Sequence, residues 1–239
     1  AWNDIPGSSD DTRGWAIIDC MMNIPLLYWA GKEMEDPRFA DIANRHAETA
    51  MRVLLRPDGS CNHIGILDPE TGEVVGLPGG QGYGEGSSWS RGQAWAVYGF
   101  ALAFLHTGNQ EFLDAAKRVA HYFLANVAMT GYVSLVDFRA PKESVYWDTT
   151  ATACAACGLL QIAEMVPEFE KALYYDGAVK MLMALSEQHC DWNVETDGIL
   201  QNGTAAYWRD TDRHVPIIYG DYFLLEASLR LQNKAFLIW

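Results

Sequence analysis

Two kinds of predicted helix alternate along this 239-residue chain, and the alternation limits the folds it can adopt. Helical periodicity predicts helices at 19–33, 37–55, 88–107, 110–127, 148–166, 170–189 and 217–232. One kind, such as Ser90–Thr107 and Asp148–Met165, is apolar on nearly all sides and rich in small residues. The other, such as Asp36–Leu55 and Asn109–Asn126, has a charged face, as amphipathic surface helices do. A ring of buried helices inside a ring of amphipathic helices accounts for both patterns.

The amphipathic helices share a short repeat with an aspartate at its centre. The segments Phe39–Ala43, Phe112–Ala116 and Tyr174–Ala178 match, and their aspartates are 73 and 62 residues apart. A repeat of about this length, made of one buried and one amphipathic helix, is typical of an α/α toroid. Such a ring usually closes with six helical hairpins, and this all-α chain supplies about three and a half. We therefore expect a single-domain, incomplete toroid over residues 1–239, the C-terminal two-thirds of a full barrel.

Residues 61–83 interrupt the helical pattern. Prolines and glycines disfavour a continuous helix there, whereas His63–Leu67 and Glu73–Leu77 are β-prone. Asp68–Gly72 between them has the composition of a turn. We expect a small β-hairpin or ordered loop over one end of the ring.

The charge of the chain restricts its partners. A formal net charge of −14 argues against a nucleic-acid surface and disfavours a long polyanion as ligand. A small anion could still be bound by one local arginine. Hydrophobic residues make up 49% of the chain, yet no run reaches the ~18 apolar residues of a membrane span. We expect neither nucleic acid nor a membrane as a partner.

Three motifs that could indicate a metal or cofactor fail on inspection. Cys154 and Cys157 form a C-x-x-C within a run of small residues on a predicted helix, which favours core packing. Gly82–Gly86 lacks the Rossmann unit and the lysine of a phosphate-binding loop. Asp191–Gly198 resembles a calcium loop, but a threonine stands where the turn glycine is needed. We therefore expect no metal site and no cofactor.

The starts of the buried helices indicate where a ligand would bind. In an alternating toroid these helices begin at the same end, so their N-termini converge on one mouth. Their free N–H groups and helix dipoles favour an anionic ligand. A carboxylate or arginine with aromatic neighbours occurs at four such starts: Ile18-Asp19, Trp89–Arg91, Tyr146–Asp148 and Tyr219–Asp221.

Asp19 lies in the otherwise apolar stretch Trp15–Pro25. Apolar surroundings favour the protonated carboxyl group that a general acid requires. The alternative is an N-cap for a helix that continues through Pro25, where the helix terminus would favour the ionised form. The residues alone leave these two interpretations open.

The other candidate residues also have structural alternatives. Arg91 and Trp95 share a face of one predicted helix, and the planar guanidinium group of Arg91 suits a ligand carboxylate. A structural ion pair with one of the chain's many carboxylates is the alternative. His63 is a candidate for a lid over the site, although a lone histidine is more often a surface residue. Asp148 is interpreted first as an N-cap.

One string of residues is specific to a known family. Gln81–Tyr83, followed by Ser88–Trp95 with the sequence SWSRGQAW, closely resembles the signature of the unsaturated glucuronyl hydrolases. The resemblance continues in order through Ile18–Asn23, Asp148–Ala151 and Ile218–Phe223, so it covers essentially the whole chain. It implies an (α/α)6 barrel that removes a 4,5-unsaturated uronic acid from the non-reducing end of lyase-generated oligosaccharides. A related unsaturated rhamnogalacturonyl hydrolase and a non-catalytic carbohydrate-binding toroid are the alternatives.

The resemblance also assigns roles to individual residues. It implies that Asp19 is the general acid/base, and that the small anionic sugar is held by His63, Gln81, Arg91 and Trp95. It leaves the oligomeric state open, and the compartment open between the bacterial cytoplasm and periplasm.

Two departures from the family pattern bear on activity. The family has a histidine directly before the residue that matches Gln81, and here that position is Gly80. One polar contact is therefore absent, which leaves the substrate preference open. The family also uses a second aspartate well upstream, which no residue of this chain matches, so the activity of this polypeptide is open too.

Overall fold

In the part of the chain that the structure describes, seven α-helices follow one another in the order that the periodicity predicts. The computed structural model describes residues 12–143 and 145–239. The helices are α1 Pro25–Glu33, α2 Pro37–Leu54, α3 Ser90–Thr107, α4 Gln110–Val127, α5 Thr149–Met165, α6 Glu168–Gln188 and α7 Ile218–Leu231. The predicted bounds of α2 to α7 are correct to within two residues. Residues 1–11 and 144 lie outside the described part.

Helices α3 and α5 form the buried centre. Ser90–Ala103 of α3 and Thr149–Ala163 of α5 are buried on every side. The two helices pack against each other, α7 packs on α5, and α4 and α6, each buried on one face, cover α3 and α5 from outside. Small residues permit this close packing: a Cβ atom at Gly158 would lie 2.9 Å from the backbone of Tyr98. The predicted distinction between inner and outer helices is therefore observed.

Local sequence signals explain where the outer helices begin. Asp36 caps α2 by accepting a hydrogen bond from the Arg38 N–H, and proline occupies the first position of that helix. Gly108 ends α3 in the left-handed conformation, with φ of 69°. Asn109 then caps α4 by accepting from the Glu111 N–H. The two helices can thus turn back on each other within two residues.

The predicted helix at 19–33 is wrong in its first half. Residues Ile18–Met22 form a 3₁₀ turn, and the α-helix begins only at Pro25. Proline has no N–H to donate to a carbonyl one turn earlier, so it starts a helix more readily than it continues one. Asp19 consequently lies in the 3₁₀ turn, and its side chain caps nothing.

A small antiparallel sheet lies beside this turn. Its strands are β1 Trp15–Ile17, β2 Ile64–Leu67 and β3 Val74–Gly76, in that spatial order. The predicted hairpin at 63–77 is confirmed as β2 and β3. Strand β1 was not predicted, because three residues are too few to show an alternating pattern. Its pairing with β2 places Ile17 opposite Ile64. Asp19 comes two residues after Ile17 and His63 comes just before Ile64, so the pairing brings these two residues to the same end of the sheet.

The core contains the cysteine pair. Cys154 and Cys157 are fully buried on α5, as core packing requires, and burial raises the pKa of both thiols well above the ordinary value. One cluster of buried side chains runs through the described residues, from Ile18 to Ala227. The assignment of residues 1–239 to one domain stays a prediction. In the described ranges, no helix is both long enough and apolar enough for a membrane span.

Candidate active site at the mouth of the toroid

The N-terminal ends of α3, α5 and α7 meet at one mouth. Arg91, in the first turn of α3, places Nη2 3.6 Å from Oδ2 of Asp148, the residue before α5. The guanidinium carbon of Arg91 also lies 5.6 Å from the ring centre of Tyr219 in the first turn of α7. A Cβ atom at Gly220 would approach Thr150 Oγ1 to 2.8 Å, so glycine permits this convergence.

Asp19 and His63 face each other at the edge of this mouth. His63 Nε2 lies 3.3 Å from Asp19 Oδ2. The His63 side chain is only 1% exposed, whereas that of Asp19 is 29% exposed. The His63 ring also packs on Trp89, with centroids 4.4 Å apart, and the same Trp89 ring lies 5.0 Å from the guanidinium carbon of Arg91. Trp89 therefore joins the Asp19–His63 pair to the helix starts.

Arg91 is a buried cation with mixed surroundings. Its side chain is 1% exposed, and Nη2 donates hydrogen bonds to the carbonyl oxygens of Thr204 and Ala205 at 2.7 and 2.8 Å. Its Nε and Nη1 atoms are buried and have no hydrogen-bond partner in the described residues. Burial raises the pKa of the Asp148 carboxyl above its ordinary value, and the charge of Arg91 opposes that shift. Arg91 therefore does form the structural ion pair that was the alternative interpretation. Two donors of its guanidinium group, Nε and Nη1, still lack a partner in the described residues.

Gln81 and Trp95 complete the group. Gln81 donates its backbone N–H to His63 Nδ1 at 2.9 Å and its side-chain Nε2–H to the Ala205 carbonyl at 2.6 Å. Trp95, one turn after Arg91, is 8% exposed and packs its ring on Tyr219, with centroids 5.9 Å apart. The structure therefore brings all five predicted residues together. Their roles in binding or catalysis stay predictions.

Buried polar atoms without a partner concentrate at this mouth. Folded proteins contain few such atoms, and each of them calls for an explanation. Among the described residues, all but those of His106 and Arg230 belong to this region: Asp19 Oδ2, His63 Nε2, Trp89 Nε1, Ser90 Oγ, Arg91 Nε and Nη1, Trp95 Nε1 and Asp148 Oδ2. A polar ligand would supply the partners that these atoms lack.

The segment that follows Leu200 closes one side of the site, and sequence reasoning did not find it. Besides the two carbonyl groups that contact Arg91, Tyr207 donates its backbone N–H to the Gln81 carbonyl at 2.9 Å. Trp208 donates Nε1–H to the Gly80 carbonyl at 3.1 Å. Each of these contacts joins residues more than 100 positions apart and ends on a backbone carbonyl group, which leaves no signal in the sequence.

Two capping interpretations have clear outcomes. Asp148 accepts a hydrogen bond from the Ala151 N–H at 3.4 Å, so the predicted N-cap is confirmed. The cap proposed as the alternative for Asp19 is wrong, because its side chain makes no capping bond. Asp221, in the first turn of α7, accepts from the N–H groups of Ile199 and Leu200 and so anchors a loop.

No metal centre is formed by the side chains that the structure describes. They include no group of three or more His, Cys, Asp or Glu residues with suitable geometry. The chemistry of the mouth rests on a carboxylate, an imidazole, a guanidinium group and aromatic N–H donors. These groups suit an anionic, hydroxyl-rich ligand.

Alternating inner and outer helices with a polar mouth define the class as an α/α toroid, as predicted. Comparisons with known proteins are consistent with this fold. The unsaturated glucuronyl hydrolase of Bacillus sp. (strain GL1) is 39% identical over 243 residues, which cover 100% of this chain and 64% of that protein. The unsaturated chondroitin disaccharide hydrolase of Streptococcus pyogenes serotype M1 is 32% identical, with 96% of this chain and 58% of that protein covered.

A solved structure shows the same similarity in three dimensions. The crystal structure of the unsaturated glucuronyl hydrolase from Bacillus sp. GL1 superposes with a TM-score of 0.90 at 39% identity, covering 97% of this chain and 62% of that chain. No family model matches the sequence. Over its whole length, the chain is similar to unsaturated glucuronyl hydrolases. It spans less than two-thirds of the length of the relatives it matches.

Proposed function

We propose that this protein removes a 4,5-unsaturated uronic acid from the non-reducing end of an oligosaccharide by hydrating the C4=C5 double bond. The observation that carries the proposal is the concentration of unpartnered buried polar atoms around Asp19, His63 and Arg91. The relatives support the substrate class: one is named for unsaturated chondroitin disaccharide, and another is described as degrading glycosaminoglycan.

Asp19 is the proposed proton donor and base. It delivers a proton to C4, and a water molecule adds to C5 while the carboxylate accepts a proton from that water. The product is a hemiketal at C5. When the bond from C5 to the ring oxygen breaks, C5 becomes a ketone and the ring oxygen becomes a hydroxyl group on C1. The new hemiacetal at C1 then expels the next sugar as an alcohol, leaving an aldehyde.

The remaining residues would position the unsaturated sugar. The free Nε and Nη1 donors of Arg91 suit the uronate carboxylate, which a guanidinium group binds better than an ammonium group does. Trp95 Nε1–H and the Trp95 ring would contact a hydroxyl group and an apolar face of the sugar. His63 and Gln81 would hold the side of the sugar nearest Asp19. Arg91, Trp95 and His63 are buried and Gln81 is half-buried, so their polar interactions with a ligand would be strong.

The test is to incubate the full-length protein with a panel of unsaturated glucuronyl and rhamnogalacturonyl disaccharides in D₂O. Hydration predicts loss of the ultraviolet absorbance of the double bond and one deuterium atom at C4 of the released product. An ordinary glycosidase would release the sugar with the double bond intact, and the absorbance would fall only in a later, spontaneous ring opening. Release of the leaving sugar ahead of the loss of absorbance would therefore contradict the proposal. Binding without product would instead identify a carbohydrate-binding toroid. Preference for rhamnogalacturonyl substrates would reassign the leaving sugar.

A further inference from the structure

The hydrogen bonds of His63 determine which of its nitrogens carries the proton. The Gln81 backbone N–H can only donate, and it points at His63 Nδ1 from 2.9 Å. Nδ1 must therefore present a lone pair, so the single ring proton is on Nε2. Nε2 is the atom 3.3 Å from Asp19 Oδ2. We propose that the Gly79–Gln81 turn holds His63 in the neutral form with its proton on Nε2, beside Asp19 at the mouth, and that Gly80 is the positioning residue of this arrangement.

Gly80 is required by the closeness of the turn to the imidazole ring. A Cβ atom at this position would lie 2.1 Å from His63 Nδ1 and 2.8 Å from its Cγ. Gly80 also has φ of 59°, a conformation that residues with side chains rarely adopt. With the turn in this conformation, a side chain here would displace the ring that packs on Trp89. The absence of a larger residue is therefore what lets the backbone N–H of the next residue reach His63.

The turn is held from its other side as well. The carbonyl groups of Gly80 and Gln81 accept hydrogen bonds from Trp208 Nε1–H and the Tyr207 N–H. The segment that follows Leu200 thus donates to the turn on one side, and the turn donates to His63 on the other. Contacts on both sides therefore fix its position. This matches the general requirement that a reactive group be positioned by neighbours whose own geometry is fixed.

The two carboxylate oxygens of Asp19 have different surroundings and, we infer, different roles. Oδ2 is sealed from solvent and faces His63, although the side chain as a whole is 29% exposed. The Nε2–H of His63 lies beside Oδ2 without forming an aligned hydrogen bond, and its positive end favours the carboxylate that remains after proton delivery. The more accessible Oδ1 is left to carry the proton. This consequence rests on the proposed function, whereas the protonation of His63 does not.

The experiment is long-range proton–nitrogen NMR of ¹⁵N-histidine-labelled protein at neutral pH, with the His63 signals assigned by their loss in His63→Gln. A protonated Nε2 and a bare Nδ1 are expected. A proton on Nδ1, or on both nitrogens, would overturn the proposal. Because this readout needs no substrate, it gives the same answer whether or not the proposed activity is correct.

Two glycine variants test the positioning role. In Gly80→Ala, the His63 nitrogen signals should change towards a mixture of the two neutral forms, and turnover should fall by ~10- to 100-fold through misplacement of His63. Gly84→Ala is the matched control from the same loop, since a Cβ there meets no atom within 4 Å. It should leave both readouts unchanged. Unaltered His63 signals in a folded Gly80→Ala variant would contradict the proposal, and if that variant fails to fold, the wild-type spectrum still decides.

Discussion

Arg91 and Asp148 form an ion pair in the interior of the protein, with Nη2 3.6 Å from Oδ2 and side chains that are 1% and 0% exposed. The pair joins the start of α3 to the start of α5. Removing two charges from water is costly, and losing one partner leaves the other charge uncompensated. The pair therefore both fixes the mouth and makes it sensitive to substitution.

Asp148→Asn tests this dependence. Asparagine keeps a capping oxygen for α5 but removes the charge that compensates Arg91. We expect the free energy of unfolding to fall by ~3–5 kcal/mol, the range for breaking a buried pair, in urea titrations. Asp36→Asn is the matched control, because Asp36 is also an N-cap paired with an arginine, but that pair is exposed to solvent. Equal stabilities for the two variants would contradict the account.

Arg91→Lys separates charge from geometry. Lysine keeps the positive charge but lacks the planar guanidinium group. In Arg91 that group donates to the carbonyl groups of Thr204 and Ala205 and still has two donors, Nε and Nη1, without a partner in the described residues. We expect affinity for an unsaturated uronate disaccharide to weaken by ~1–3 kcal/mol, measured by calorimetry in an Asp19→Asn background that prevents turnover. Arg139→Lys, at a partly exposed ion pair with Asp58, should bind normally. Unchanged affinity in a folded Arg91→Lys variant would contradict a role in binding the substrate and leave Arg91 only its structural ion pair.

Trp95→Phe removes a single donor. Phenylalanine can keep ring contacts with Tyr219 and Phe223 but lacks the buried, unpartnered Nε1–H. If this group donates to the sugar, affinity should fall by about 1 kcal/mol, the usual contribution of a neutral hydrogen bond. The free energy of unfolding should change little. Trp192→Phe, in an exposed loop, is the control, and an identical affinity of Trp95→Phe and wild type would exclude the contact.

The helices with strong periodicity could be predicted from the sequence, whereas the site could be predicted only in part. The composition of α3 and α5 identified them as inner helices, and the residues at their starts identified the mouth. The 3₁₀ turn at Asp19 was missed, because Pro25 was interpreted as lying inside one helix. Strand β1 was too short to detect.

The contacts that define the site depend on the path of the chain. Arg91 binds carbonyl groups 113 and 114 residues away, and Gln81 binds one of them across 124 residues. Every residue has a carbonyl group, so no pattern marks these two. The need for glycine at Gly80 was likewise hidden, since it follows from the position of the His63 ring. Sequence comparison with the family had suggested only a missing contact there.

Asp19→Asn in the full-length protein tests the central claim, that Asp19 protonates the double bond. The substitution is nearly isosteric and breaks no cap, so the fold should be retained. Turnover of an unsaturated uronate disaccharide, followed by loss of the double-bond absorbance, should fall at least ~100-fold while affinity is kept. Asp41→Asn, on the exposed face of α2, should have wild-type turnover. Near wild-type turnover in Asp19→Asn would contradict the account and place the acid elsewhere.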